Sequence, residues 1–189
     1  MRQLIQLLSI STFCIIWGCG GCPDDSPENF LLTEEEKQLI GFNAKQVVFI
    51  NENNQELIAE YSSKQNLVTN IQASDDEDCF PLNLESLFIF MNFKNDFEEF
   101  NVSLKKNATN TTSLLIIHGN ESLSLNDCDG LIANIPESRN IMANGFQFSD
   151  VLEFKNCIGS GKVIRILYSP DIGIKYIEFN DKTFLALKQ

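Results

Sequence analysis

Beyond Gly41, no stretch of this chain repeats its apolar residues with the 3.6-residue period of an amphipathic helix; short aliphatic and aromatic runs alternate with clusters of Asn, Asp, Gly, Ser and Pro. Such punctuation confines the fold to a mainly β class, because runs of that length hide an apolar face by pairing side by side. Val47-Val48-Phe49-Ile50, then Asn51-Glu52-Asn53-Asn54, then Leu57-Ile58-Ala59-Glu60-Tyr61 reads as strand, turn and strand, with Asn53-Asn54 able to take positive φ. The same grammar predicts strands at 65–72, 85–93, 97–105, 113–118, 122–125, 146–154, 162–168, 172–179 and 183–187. Turns fall at 75–78, 105–112 and 126–130, and a longer Pro-containing connection at 134–145.

In Phe100-Asn101-Val102-Ser103-Leu104 apolar and polar residues alternate, the mark of a sheet with one wet face. Leu87-Phe88-Ile89-Phe90-Met91 and Leu114-Leu115-Ile116-Ile117 do not alternate. Those strands are expected to be covered on both sides, by a helix, by a second sheet, or by curvature that makes a groove. The one helical signal is residues 31–41, where Thr33 and Glu36 form a capping box and Gly41 ends the run. The expected fold is an antiparallel sheet, a sandwich or rolled half-barrel, with one short N-terminal helix.

Hydrophobic residues at 43% and charged residues at 21% of 189 suit one globular domain large enough to fold without a metal or cofactor. Lys+Arg 14 against Asp+Glu 26 gives −12, which disfavours nucleic acid as a partner. A single His removes any site needing two imidazoles from one chain, and no pair of domain cysteines has zinc-ligand spacing.

The N-terminus points to an address. Met1-Arg2-Gln3 precedes a mostly apolar run at 4–17, followed by Gly18-Cys19-Gly20-Gly21-Cys22. The run falls short of the roughly 20 apolar residues of a spanning helix and fits a secretory signal. Ile16-Trp17-Gly18-Cys19 resembles the bacterial lipobox, making Cys19 the expected lipid acceptor and Cys22 the alternative. Acyl chains burying ~0.8 kcal/mol per CH₂ would hold an otherwise soluble domain on a membrane. The expected organisation is a signal at 1–18, lipidated Cys and acidic tether at 19–30, and a single β-rich domain at 31–189. Asp24-Asp25 and Glu28 in the tether look like the acidic export tag of surface lipoproteins of the Bacteroidetes, or serve simply as a charged spacer. Loss of Arg2 with the signal leaves the mature chain one unit more acidic, so an anionic membrane would repel the domain from its own anchor.

If Cys19 carries the lipid, Cys22, Cys79, Cys128 and Cys157 remain, an even set in an oxidising compartment. Cys79 and Cys128, both in acidic loops, are the candidate disulfide. Those loops lack the regular spacing of a calcium loop, and no metal is expected. His118 is expected at the end of a strand before Gly119; without a Gly-x-Ser-x-Gly elbow, a hydrolase is the least favoured reading. Gly159-Ser160-Gly161-Lys162 has the wrong spacing for a phosphate loop and reads as a hairpin turn.

Three further stretches carry a family likeness. Leu32-Thr33-Glu34-Glu35-Glu36-Lys37, leading through Gly41-Phe42 to Val47-Val48-Phe49-Ile50-Asn51, resembles the opening of small uncharacterised Bacteroidetes lipoproteins of flavobacterial type. Tyr168-Ser169-Pro170-Asp171-Ile172-Gly173-Ile174-Lys175-Tyr176-Ile177-Glu178 with Asn180-Asp181-Lys182-Thr183 is similar to their C-terminal strand and final hairpin, and Gly145-Phe146-Gln147-Phe148-Ser149-Asp150-Val151 to the strand before it. The resemblance implies an antiparallel sheet domain displayed from the outer membrane, on its periplasmic or cell-surface face, with no active site to carry over. The expected function is a membrane-anchored, non-enzymatic binding or structural module, with a protein or ligand partner that the sequence leaves open. The alternative is a carrier of an acyl chain or other apolar ligand in a curved-sheet groove lined by Phe88, Phe90, Val102 and Ile116. Mass spectrometry of the mature N-terminus is expected to find a thioether-linked lipid on Cys19 or Cys22; an unmodified or simply cleaved terminus rejects the anchor.

Overall fold

The computed structural model describes residues 26–43, 45–75, 78–94, 99–125, 131–132, 136–156 and 161–188, with backbone alone for 72–75, 78–80 and 131. The strands, in chain order, are β1 (Glu28–Phe30), β2 (Gln46–Asn51), β3 (Glu56–Tyr61), β4 (Gln65–Asp75), β5 (Asp78–Phe93), β6 (Phe100–Lys106), β7 (Thr112–His118) and β8 (Glu121–Leu125). They continue with β9 (Leu131–Ile132), β10 (Arg139–Ala143), β11 (Phe146–Asn156), β12 (Val163–Ser169), β13 (Gly173–Phe179) and β14 (Phe184–Leu187). A short helix α1 (Glu34–Lys37) runs into one 3-10 turn (Gln38–Ile40). The mainly β expectation holds.

The sheet closes on itself. In hydrogen-bonding order the path runs β5, β3, β2, β14, β13, β12, β11, β8, β7, β6 and back to β5. The closing residue is Met91, which lies opposite Tyr61 of β3 on one edge and Phe100 of β6 on the other. The rolled sheet is therefore a complete ring, with neighbouring ring strands antiparallel. Alternation then dictates the core. Phe49, Ala59, Ile89, Met91, Phe100, Val102, Leu104, Leu114, Ile116, Leu123 and Phe154 all point inward and are fully buried. Ring contacts run through this interior, Phe49 to Phe93 at 5.5 Å and Phe154 to Tyr168 at 5.8 Å.

Three features differ from the sequence expectation. The strands covered on both sides are β12, β13 and β14, not β5 and β7. A flap made of β10 and the first half of β11 lies over their outer face, where Phe148, Val151, Leu167, Tyr176 and Ala186 form a second core. β11 leaves the flap for the ring near Asp150, a non-glycine residue at φ 52. The outward Phe88, Phe90, Leu115 and Ile117 of β5 and β7 are only half-buried, since no element among the described residues is layered over them. Secondly, the connection expected at 134–145 contains β10. Thirdly, Glu28–Phe30, expected in the tether, forms β1 and pairs in parallel with Leu82–Leu84 of β5. β5 itself begins at Asp78, so Asp75 and Asp78 close a hairpin as a register pair, with 76–77 outside the described residues.

One end of the ring is filled by the N-terminal segment. Leu32, Leu39, Ile40 and Phe42 join the interior cluster, and Phe42 packs edge-on against Tyr61 at 4.8 Å and Tyr168 at 6.0 Å. The Tyr168 hydroxyl donates to the Leu39 carbonyl at 2.6 Å, and the Gly41 and Phe42 amides both donate to the Pro170 carbonyl. Tyr61 accepts from the Ile174 amide at 2.7 Å. That bond fixes the neighbouring residue as glycine: Gly173 has φ +96, and an added Cβ would lie 2.5 Å from the Tyr61 hydroxyl. Gly173→Ala is expected to cost about 2–4 kcal/mol in urea unfolding, strain and overlap combined. Gly119→Ala, at φ +56 with open space around it, is expected to cost about 1 kcal/mol, and equal losses at the two positions would refute the packing account.

Candidate functional site

The most organised polar chemistry among the described residues lies where the N-terminal segment meets the ring. Thr33 caps α1: the Glu36 amide donates to Thr33 Oγ1 at 3.1 Å, and the Thr33 amide donates back to Glu36 Oε2 at 2.7 Å, the capping box read from sequence. Glu36 then uses its other oxygen on the ring. Oε1 accepts from Lys106 Nζ at 2.9 Å and from the Thr112 hydroxyl, at the adjoining ends of β6 and β7. A second carboxylate works in the opposite direction. Glu85 of β5, 3% exposed, accepts the Leu32 amide on Oε2 at 2.8 Å; on Oε1 it receives Asn66 Nδ2 at 2.8 Å and Lys37 Nζ at 3.2 Å.

Segment carboxylate to ring lysine and ring carboxylate to segment lysine form a reciprocal clamp. Burial by itself would push both carboxyls up, but hydrogen bonds outweigh it. For Glu36 these come from Thr112, the Thr33 amide and Lys106; for Glu85, from Asn66, the Leu32 amide and Lys37. Both therefore sit below the ordinary glutamate range and are ionised at neutral pH. Every oxygen of the two carboxylates accepts at least one hydrogen bond, so the clamp ties the N-terminal segment to the sheet. Thr33 and Glu36 are legible in the sequence as a capping box, whereas Glu85, Lys106 and Asn66 are not. The available signal was an acidic residue in phase with the inward Leu87, Ile89 and Met91.

His118 is the last residue of β7, as expected, and Gly119 follows at φ +56. Its ring is buried against Phe100, with centroids 4.7 Å apart and planes at 26°. Burial lowers its pKa, partly offset by the charge of Glu121, its register partner. Phe90, Glu99, Asn101, Ile117 and Gly119 line an open depression beside it, and none of these brings a hydroxyl or thiol nucleophile. Glu121 is otherwise engaged in fixing the start of β12, accepting the Lys162 amide at 2.8 Å and Asn156 Nδ2 at 3.1 Å. Among the described residues, no group of three or more His, Cys, Asp or Glu is arranged to hold a metal ion.

Cys19, Cys22, Cys128 and Cys157 lie outside the described residues, as does the acidic loop at 126–130. Cys79 stands in β5 opposite Ser74, its side chain undescribed. The groove proposed for an acyl chain does not assemble: Val102 and Ile116 point into the filled interior, while Phe88 and Phe90 stand on the outer face, 6.1 Å apart. No helix among the described residues is long and apolar enough to cross a membrane. Compared with protein families, curated proteins and solved structures, the chain matches none.

The clamp sets a pH dependence. Each carboxyl has a folded pKa below its unfolded value, so its contribution is complete above the ordinary glutamate value, about 4.3, and is lost as pH falls through the lowered folded value. Glu85→Gln is expected to cost about 1–2 kcal/mol at pH 7, as a charge-assisted bond set becomes neutral. Thermal melts should show the wild type's advantage holding from pH 7 to about 5 and shrinking below about 4.3. An advantage independent of pH would remove the carboxylate's charge from the account.

Proposed function

We propose that the protein is a lipid-anchored lipoprotein of the bacterial envelope, of the kind found in Bacteroidetes, whose closed β domain is a non-enzymatic binding or structural module. The observation that carries this reading is the way the chain passes from its lipobox-like sequence into the fold. Only residues 20–27 separate Cys19 from β1, a link that spans at most about 30 Å. Immediately after it the chain is paired to β5, inserted into the ring by Leu32, Leu39, Ile40 and Phe42, and clamped through Glu36 and Glu85. A pull on the anchor would be borne by core packing and two partly buried ion pairs.

The interior favours a module over a carrier, because the inward faces of the ring strands are occupied by one another's side chains. What the fold offers to partners is its outer surface, including the half-buried Phe88, Phe90, Leu115 and Ile117. Those residues share neighbouring cross-strand rows with Asn101 and Ser103.

Fractionation of cells producing the wild type, Cys19→Ala and Cys22→Ala tests the anchor. The wild type is expected in the outer membrane fraction, and the variant lacking the lipid acceptor is expected to be released or retained as uncleaved precursor. Protease added to intact cells then separates the cell-surface from the periplasmic face. A wild type found in the soluble fraction overturns the proposal. A stoichiometric, non-covalent acyl ligand in native mass spectra transfers it to the carrier alternative.

A further inference from the structure

Ring closure leaves few open edges, and one differs from the rest. β4 pairs with β5 along its whole length without a register break, from Gln65 opposite Phe88 to Asp75 opposite Asp78, and has no other strand partner among the described residues. Its outer edge thus presents the unpaired amides and carbonyls of alternate residues over the strand. Natural sheets blunt such an edge with Lys, Pro, bulges or brevity. β1 is three residues long, and β10 carries Arg139 and a register break. β4 has none of these devices: between Lys64 and Asp75 it contains no charge, Pro or Gly, in a chain of net charge −12. Its Leu67 and Val68, on opposite faces, are 51% and 52% exposed.

The amide chemistry of the strand continues the same pattern. Asn70 Nδ2 donates to Asn83 Oδ1 at 3.1 Å, and Asn83 Nδ2 donates to Asn29 Oδ1 at 2.8 Å, a ladder crossing β4, β5 and β1. The ladder stops at the open edge with Asn70, whose amide has a second N–H and a carbonyl oxygen for one more rung.

We infer that this edge is a self-association surface, on which β4 of a second copy adds antiparallel about a two-fold axis through Asn70. That register sets Asn70 opposite its own symmetry mate, where two primary amides exchange N–H to O bonds and join the two ladders. It sets Gln65 opposite Asp75 of the other copy, so Lys64 of each chain comes beside an opposite charge, twice by symmetry. Parallel addition would place Asp75 of one copy beside Asp75 of the other, whereas the antiparallel two-fold arrangement sets Asp75 at the Lys64 end of its partner; since the opposite edge of β4 is held by β5, pairing uses the one open edge of each copy and stops at two. The uncharged strip is where two acidic copies meet with least repulsion.

The test uses the mature, lipidated protein in detergent, with protein mass in the micelle measured by light scattering, together with cysteine cross-linking in cells. The wild type is expected to be a dimer, and Val68→Lys, an exposed edge lysine, is expected to weaken it by at least about tenfold while leaving the circular dichroism spectrum of the folded chain unchanged. Asn70→Cys is expected to give a disulfide-linked dimer on non-reducing gels above the background of the native cysteines. Met142→Cys, 65% exposed on β10, serves as the control and is expected to give none. A monomeric wild type, a dimer unaffected by Val68→Lys, cross-linking at Met142→Cys instead, or assemblies growing beyond two would each overturn the inference.

Discussion

The double pairing of β5 at Met91 is the constraint from which the rest of the architecture follows. A strand held by Tyr61 on one side and Phe100 on the other cannot slide without breaking two ladders, so the register around the ring is fixed. Closure sends one side chain in two inward, and Phe49, Met91, Phe100 and Phe154 fill the interior as a core. It also removes the edge strands that an open sheet of this size would expose. β5 is longer than the ring needs: its C-terminal half closes the ring, while its N-terminal half extends beyond the ring with β4 and β1.

A closed ring still has two ends, and the N-terminal segment closes one of them. Two partly buried ion pairs at that junction would be costly alone, since desolvating a charge is repaid only when hydrogen bonds satisfy the remaining lone pairs and protons. Here they are satisfied: Glu36 serves the helix cap with one oxygen and the ring with the other, and Glu85 bonds Leu32, Asn66 and Lys37 together. Apolar contacts from Leu39, Ile40 and Phe42 supply burial but little direction. The carboxylates supply direction, setting which residue enters the ring and at what depth.

Much of the strand content was legible because alternation and turn chemistry are local. The Asn51–Asn54 turn shows this, with Asn54 at φ 59 and Asn51 Oδ1 accepting the Asn53 and Gln55 amides. Ring closure was not legible, because it depends on Ala59 meeting Phe93 and Met91 meeting Phe100, pairings no local pattern announces. β10 was hidden by Pro136 and a polar composition, and it forms because the outer faces of β12 and β13 need a cover. The clamp was half legible. Thr33 and Glu36 belong to a short-range motif, whereas Lys106 and Glu85 acquire their partners only once distant strands are brought to the same end of the ring. The cysteine readings lie mostly outside the described residues.

The outer surface is divided by the same logic. Over β12, β13 and β14 the flap converts outward apolar residues into a second core, and Tyr176 is tied there by Asn144 at 2.6 Å beneath Arg165, whose guanidinium lies 5.6 Å from its ring. Over β5, β6 and β7 no flap is layered among the described residues, and Phe88, Phe90, Leu115 and Ile117 are interrupted by Asn101 and Ser103. Interleaving polar residues across the strand rows breaks up what would otherwise be a continuous apolar patch. One sheet thus carries two solutions to outward hydrophobicity, a cover on one side and dilution on the other. Because the interior of the ring is occupied by side chains, the described residues leave contact with a partner to the surface of the domain.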